Sequence, residues 1–247
     1  MRPIASGEMR RPEALHVFLI WLAGIAGWID ALSFSLLGQV FTSFQSGNFI
    51  FLGLAIDEGD TERLVGAAVS LTAFLIGTAI GAYSVGRAEV GPHDLRRLVP
   101  AFELQWVLLV GLAACWQALG TPATDSIARV GMVALAAAAM GIQGAAILAL
   151  RIRGVVTNAM TATLMLGGVL LGLRARGQRA AEEAAPVSAA FIGAMCATYV
   201  LSAVAVGAID RPELTSLFPA AALTAALVAF SPRMPGRSRR PQELTES

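Results

Sequence analysis

Long runs almost free of charge, separated by short links rich in arginine and acid, govern what this chain can become. Apolar stretches occupy about 14–38, 41–56, 64–86, 98–119, 127–150, 155–173, 187–209 and 214–230. Around 20 such residues, wound as helix, cross the ~30 Å hydrocarbon core of a bilayer. Backbone groups that leave water there must bond within their own segment, so each run is expected to be helical. Charged residues make up 14% of the chain, where a soluble domain carries about 25%. The sequence therefore predicts an all-α polytopic membrane protein with a single membrane domain over 1–230.

Arginine placement decides how many stretches cross. All 18 basic residues are arginine. If all eight stretches cross with the N-terminus inside, twelve arginines lie inside and six outside. If 41–56 and 155–173 instead enter and leave by one face, fifteen lie inside, and only Arg63, Arg129 and Arg211 lie outside. The positive-inside rule selects the second arrangement. The expectation is six transmembrane helices plus two re-entrant or broken helices, with both termini cytosolic. The polar, Pro-rich tail 231–247 is expected to be disordered. The N-terminal run follows Arg2, Arg10 and Arg11 like a signal peptide. It continues past Asp30 to Leu37, however, as an uncleaved first helix would.

The same two stretches have polar centres. Phe41-Thr-Ser-Phe-Gln-Ser-Gly-Asn48 and Val156-Thr-Asn-Ala-Met-Thr-Ala-Thr163 are poor lipid-facing sequence. Irregular backbone at membrane depth survives only inside protein or beside a water-filled cavity. The chain also repeats itself weakly. Gly27-x-x-Asp30-Ala31 aligns with Gly141-x-x-Gly144-Ala145, and Thr42 through Asn48 with Thr157 through Thr163. Three crossings per half would invert the second copy, giving halves at about 14–119 and 127–230. Inverted repeats with discontinuous helices at their interface form a common transporter plan.

At these residues the chain resembles the YoaK family of bacterial membrane proteins. The carriers are Gly27-Trp-Ile-Asp-Ala-Leu-Ser-Phe34, Val40-Phe-Thr-Ser-Phe-Gln-Ser-Gly-Asn48, Met140-Gly-Ile-Gln-Gly-Ala145 and Met160-Thr-Ala162. The likeness extends from about Leu15 to Phe230. It implies six spans in a bacterial inner membrane and carries no assigned activity.

Asp30 is the leading candidate for chemistry. A carboxylate deep in a span costs ~2.5–3.5 kcal/mol on insertion scales, so such residues are paired, hydrated or functional. It is read as the coupling or selectivity group of a solute path, against the alternative of a structural acid bonded to a neighbouring helix. Gln45, Ser46, Gly47 and Asn48 would supply contacts at the first hairpin. There Gly47 would permit positive φ, and Ser46 or Asn48 would cap a half-helix. Thr157, Asn158 and Thr161 would be the inverted counterpart, and Gln143 stands where Asp30 would find its equivalent. Glu103, with Gln105, follows Arg96 and Arg97 in the pattern of an interfacial ion pair. Small-residue ridges such as Gly77-x-x-x-Gly81, Gly168-x-x-x-Gly172 and Gly193-x-x-x-Ala197 fit close helix packing.

Other classes find little support. There is no basic stripe or aromatic platform for nucleic acid. Cys115 and Cys196 lie within apolar runs, and His16 and His93 are far apart in sequence, so no metal, cofactor or disulfide is expected. Ser46 lacks an evident base, and no hydrolase or nucleotide motif occurs, so enzymatic activity is not expected. Partners would be the lipid bilayer, a small polar solute or ion, and a second copy in a homo-oligomer. The expected function is a membrane transporter or channel-like protein for a small polar solute or ion. The alternative is a non-transporting assembly partner whose polar hairpins are structural.

Overall fold

The computed structural model describes residues 10–86, 90, 95–120, 127–152, 157, 160–177 and 187–230. The tail 231–247 and Asn158 lie outside the described residues. Among the described residues eight α-helices follow one another: α1 (Arg10–Leu36), α2 (Gln45–Glu58), α3 (Thr61–Val85), α4 (Val99–Leu119), α5 (Ile127–Ala149), α6 (Met160–Ala175), α7 (Ala189–Ala208) and α8 (Pro212–Phe230). A 3-10 turn, Leu95–Leu98, leads into α4. Six of these helices are long and apolar enough to cross a membrane, whereas α2 and α6 are not. The two short ones are those that grow from the polar segments. The fold is that of an all-α polytopic membrane protein.

Local chemistry sets several boundaries. The chain leaves α2 through Gly59, whose φ of 68° is left-handed and favours glycine. Asp60 then caps α3 by accepting the Arg63 amide at 3.0 Å. Ser188 caps α7 in the same manner, accepting from Phe191 N–H at 3.2 Å.

Side-chain contacts fix the direction of every long helix. Trp21 Nε1 donates to the Ala222 carbonyl and Trp28 Nε1 to that of Thr215, each at 2.9 Å, so α1 and α8 are antiparallel. Gln117 Nε2 reaches the Glu213 carbonyl while Trp106 Nε1 reaches Thr224 Oγ1, so α4 and α8 are antiparallel. Gln105 meets Gln143 and Gly111 faces Leu135, which sets α5 against α4. Gly77 lies on Ala138 and Gly81 on Ile142, so α3 and α5 run parallel. The His16 ring lies tilted against Phe191 and Gly27 lies on Tyr199, so α1 and α7 run parallel. It follows that α1 and α3 are antiparallel, and that α2 between them returns to the face it entered from. The same reasoning applies to α6, between antiparallel α5 and α7.

Helices α1 and α5 are central. Their spans are 72% and 78% buried, against 22–39% for the other four. A Cβ on Gly27 would stand 2.5 Å from the Tyr199 carbonyl oxygen, and one on Gly141 would fall on that of Phe74. These glycines let backbones touch where lipid gives no hydrophobic drive between helices. Their usage is selective. Gly77 and Gly81 are packed, whereas among the described residues a Cβ on Gly168, Gly172 or Gly193 would meet nothing within 4 Å.

Candidate functional site

Asp30 sits six residues before the end of α1, about 9 Å below that face of the bundle. Gly38 and Gln39, with φ of 94° and 56°, turn the chain sharply after Leu37. The turn sends Thr42 and Ser43 back down beside Asp30. Oδ1 of Asp30 accepts the Thr42 amide at 2.8 Å, the Ser43 amide at 2.7 Å and the Thr42 hydroxyl at 3.3 Å. Oδ2 accepts the Ser43 hydroxyl and, from α7, the Tyr199 hydroxyl, both at 2.5 Å. Asp30 is 2% exposed. Hydrogen bonds to a carboxylate contribute ~1.5–3 kcal/mol each, so five donors outweigh the ~2.5–3.5 kcal/mol insertion penalty. One side chain thus ties α1, the first hairpin and α7 together.

Asn48 secures the same hairpin from within. Its Oδ1 accepts the Phe41 amide at 3.0 Å, and its Nδ2 donates to the Phe41 carbonyl at 2.6 Å, closing the loop like a rung of sheet. Ser70 of α3 donates its hydroxyl to that carbonyl at 2.6 Å and receives Asn48 Nδ2 at 3.0 Å. Gln45 Nε2 donates to the Thr42 carbonyl at 2.8 Å. Asn48, Ser70 and Thr42 are fully buried. Two expectations change here. Helix α2 already begins at Gln45, with Phe44 as its N-cap and no side-chain cap, so neither Ser46 nor Asn48 caps it. Gly47 is helical, and its need is space: a Cβ would stand 2.8–2.9 Å from the rings of Phe41 and Phe44. Ser46 is exposed on the flank of α2.

A second network stands near the opposite face, where Gln143 lies six residues before the end of α5. Its Nε2 donates to Thr157 Oγ1 at 3.0 Å and to the Leu22 carbonyl of α1 at 3.2 Å. Its Oε1 accepts Gln105 Nε2 of α4 at 2.8 Å. Gln143, Thr157 and Gln105 are fully buried. Thus Gln143 reaches the segment before α6 as Asp30 reaches the segment before α2. Thr161 faces outward on α6, and Thr163 is buried. Glu103 is exposed on the outer side of α4, away from Gln105 on its inner side.

A family described as "Protein of unknown function (DUF1275)" matches residues 18–230, the whole bundle from α1 to α8. The chain belongs to the DUF1275 family. It is also similar to "UPF0700 transmembrane protein YoaK" of Bacillus subtilis (strain 168), at 29% identity over 151 residues. That match covers 60% of this chain and 64% of the relative, so less than two thirds of the relative's length is spanned. No solved structure matches.

In this DUF1275 protein the predicted residues divide into two groups. Asp30, Gln45, Gly47 and Asn48 gather at the first hairpin, and Gln143 with Thr157 at the second; the two clusters are separate. Two participants, Tyr199 and Ser70, escaped sequence reasoning, because they sit in apolar runs without motif or periodicity. Gln105 was singled out with Glu103, but for an interfacial ion pair and not for its bond to Gln143. A polar side chain in mid-span, as with Asp30, was the available signal for Tyr199 and Ser70. Among the described residues no group of three or more His, Cys, Asp or Glu could hold a metal.

Proposed function

We propose that this protein carries a small polar solute or ion across the bacterial inner membrane, with Asp30 as the group that couples passage to hairpin movement. The observation carrying this reading is the bridge made by Asp30. A carboxylate at membrane depth holds the tip of one hairpin and, through Tyr199, a helix of the other half. Protonation of Asp30, or a cation beside it, would weaken its hold on the Thr42 and Ser43 amides and free the hairpin to move. The termini would face the cytosol, leaving Arg63, Arg129 and Arg211 outside.

Reading the chain as an inverted repeat is consistent with the proposal. The halves exchange their third helices, α1 packing on α7 and α5 on α3. Gly27 and Gly141, aligned in the repeat, both lie directly on backbone of the partner helix in those two pairs. Each half also directs a polar side chain of its first helix to its own hairpin. Sites at the interface of such halves are a recurrent transporter arrangement. Catalysis forms no part of this reading.

The test is reconstitution in liposomes, with current and internal-pH recordings across a panel of small solutes, for wild type and Asp30→Asn. Asparagine keeps an oxygen for the two amides, so protein yield and gel-filtration profile should hold while flux is lost. Wild-type vesicles indistinguishable from empty ones, or undiminished flux in D30N, would sink the proposal.

One observation favours the non-transporting alternative. Gly168, Gly172 and Gly193 are exposed, and among the described residues an added Cβ there meets nothing within 4 Å, which leaves small-residue surface fit for a second helix or a second copy. Under that reading D30N is silent or merely destabilising.

A further inference from the structure

The orientation of the second network is forced. A carbonyl oxygen can only accept, so the Leu22 carbonyl requires Gln143 to present its NH2 group there. Gln143 Oε1 then faces Gln105, which must in turn offer its own NH2. Gln105 Oε1 is left pointing away from the pair, buried and with no donor among the described residues. An unpaired buried carbonyl forfeits ~1–3 kcal/mol relative to a bonded one. Three turns along the same inner face of α4, about 16 Å away, the fully buried Trp116 has an indole N–H that likewise lacks a partner. Between them on that face lie Leu109 and Leu112, both buried.

We propose that the inner face of α4 is the solute-contact surface, with Gln105 Oε1 and Trp116 Nε1 as its two polar contacts, and that the solute is uncharged and both donates and accepts hydrogen bonds. This rests on the transport reading and narrows it. Gln105 supplies an acceptor and Trp116 a donor, and neither carries charge. The carboxylate of Asp30 is engaged by its five donors and takes no direct part. At that separation a small alcohol or amide meets the two groups in turn, donating to Gln105 Oε1 and accepting from Trp116 Nε1, whereas an ion meets no opposite charge on this face. Water shares that chemistry.

Stopped-flow light scattering on protein-loaded vesicles tests this with glycerol and acetamide as uncharged probes, ammonium and formate as charged ones, and an impermeant osmolyte to read water. Wild type should speed glycerol or acetamide entry well above empty vesicles and leave the ions unchanged. Gln105→Met should lower that entry by about tenfold, the rate equivalent of one lost hydrogen bond. Gln105→Glu, whose protonated form offers the same donor and carbonyl, should restore it at acidic pH. If Q105M does not fold, the wild-type preference between uncharged and charged probes still decides the solute class. Ion entry without uncharged entry would overturn the inference and leave transport standing. So would unaltered glycerol and acetamide entry in a folded Q105M protein, or water flux alone. Vesicles inert to every probe here and to the wider solute panel would overturn both.

Discussion

The Tyr199 hydroxyl donates to Asp30 Oδ2 at 2.5 Å, joining residues 169 positions apart and two parallel helices, α1 and α7. The same oxygen accepts the Ser43 hydroxyl, so the first hairpin and α7 share one anchor. A displacement of either is felt by the other through a single atom.

That sharing is measurable. Tyr199→Phe removes one of five donors and should lower stability in detergent by ~1–2 kcal/mol, read from thermal or denaturant unfolding. Asp30→Ala strips all five of their acceptor and should cost several times more. Combined, the two changes should fall short of additivity by ~1 kcal/mol or more. Full additivity would mean that the Tyr199 bond contributes nothing.

The glycines separate into those that touch backbone and those that face outward. Gly141→Ala would press a methyl onto the Phe74 carbonyl and should destabilise by ~1–3 kcal/mol through forced separation of α3 and α5. Gly168→Ala meets no atom within 4 Å and should be neutral or gain up to ~1 kcal/mol from helix propensity. Equal losses at both positions would show that Gly168 is also packed, as in an oligomer. Comparing unfolding midpoints of the purified variants distinguishes these cases.

Helix directions put Gly59 and the start of α5 on one face, and the positive-inside rule makes that face the proposed outside. With Cys115 and Cys196 changed to Ala, a cysteine placed by Gly59→Cys should react with an impermeant thiol reagent in intact cells. Gly59 lies on the face that also holds Arg63 and Arg129. Protection in intact cells, with labelling only after lysis, would put that face in the cytosol and reverse the proposed orientation.

The number and location of the long helices were legible in the residues alone, and so were the two polar-centred stretches set apart from them. Both follow from local quantities: the length of uncharged runs, the side on which arginines fall, and the presence of side chains that lipid will not accept. Asp30, Asn48 and Gln143 were visible for the same reason, since a polar group in a greasy run announces itself. What those groups bond to was decided only by tertiary structure. Tyr199, Ser70 and the Leu22 carbonyl lie 169, 22 and 121 positions from their partners, on helices whose neighbours no periodicity reveals. In lipid, apolar faces give helices little reason to prefer one neighbour over another. The choice falls to shape and hydrogen bonds, which exist only once the chain is folded. The start of α2 at Gln45 and the steric role of Gly47 belong to that second class, because the rings of Phe41 and Phe44 lie against Gly47 only in the folded hairpin that Asp30 and Asn48 hold.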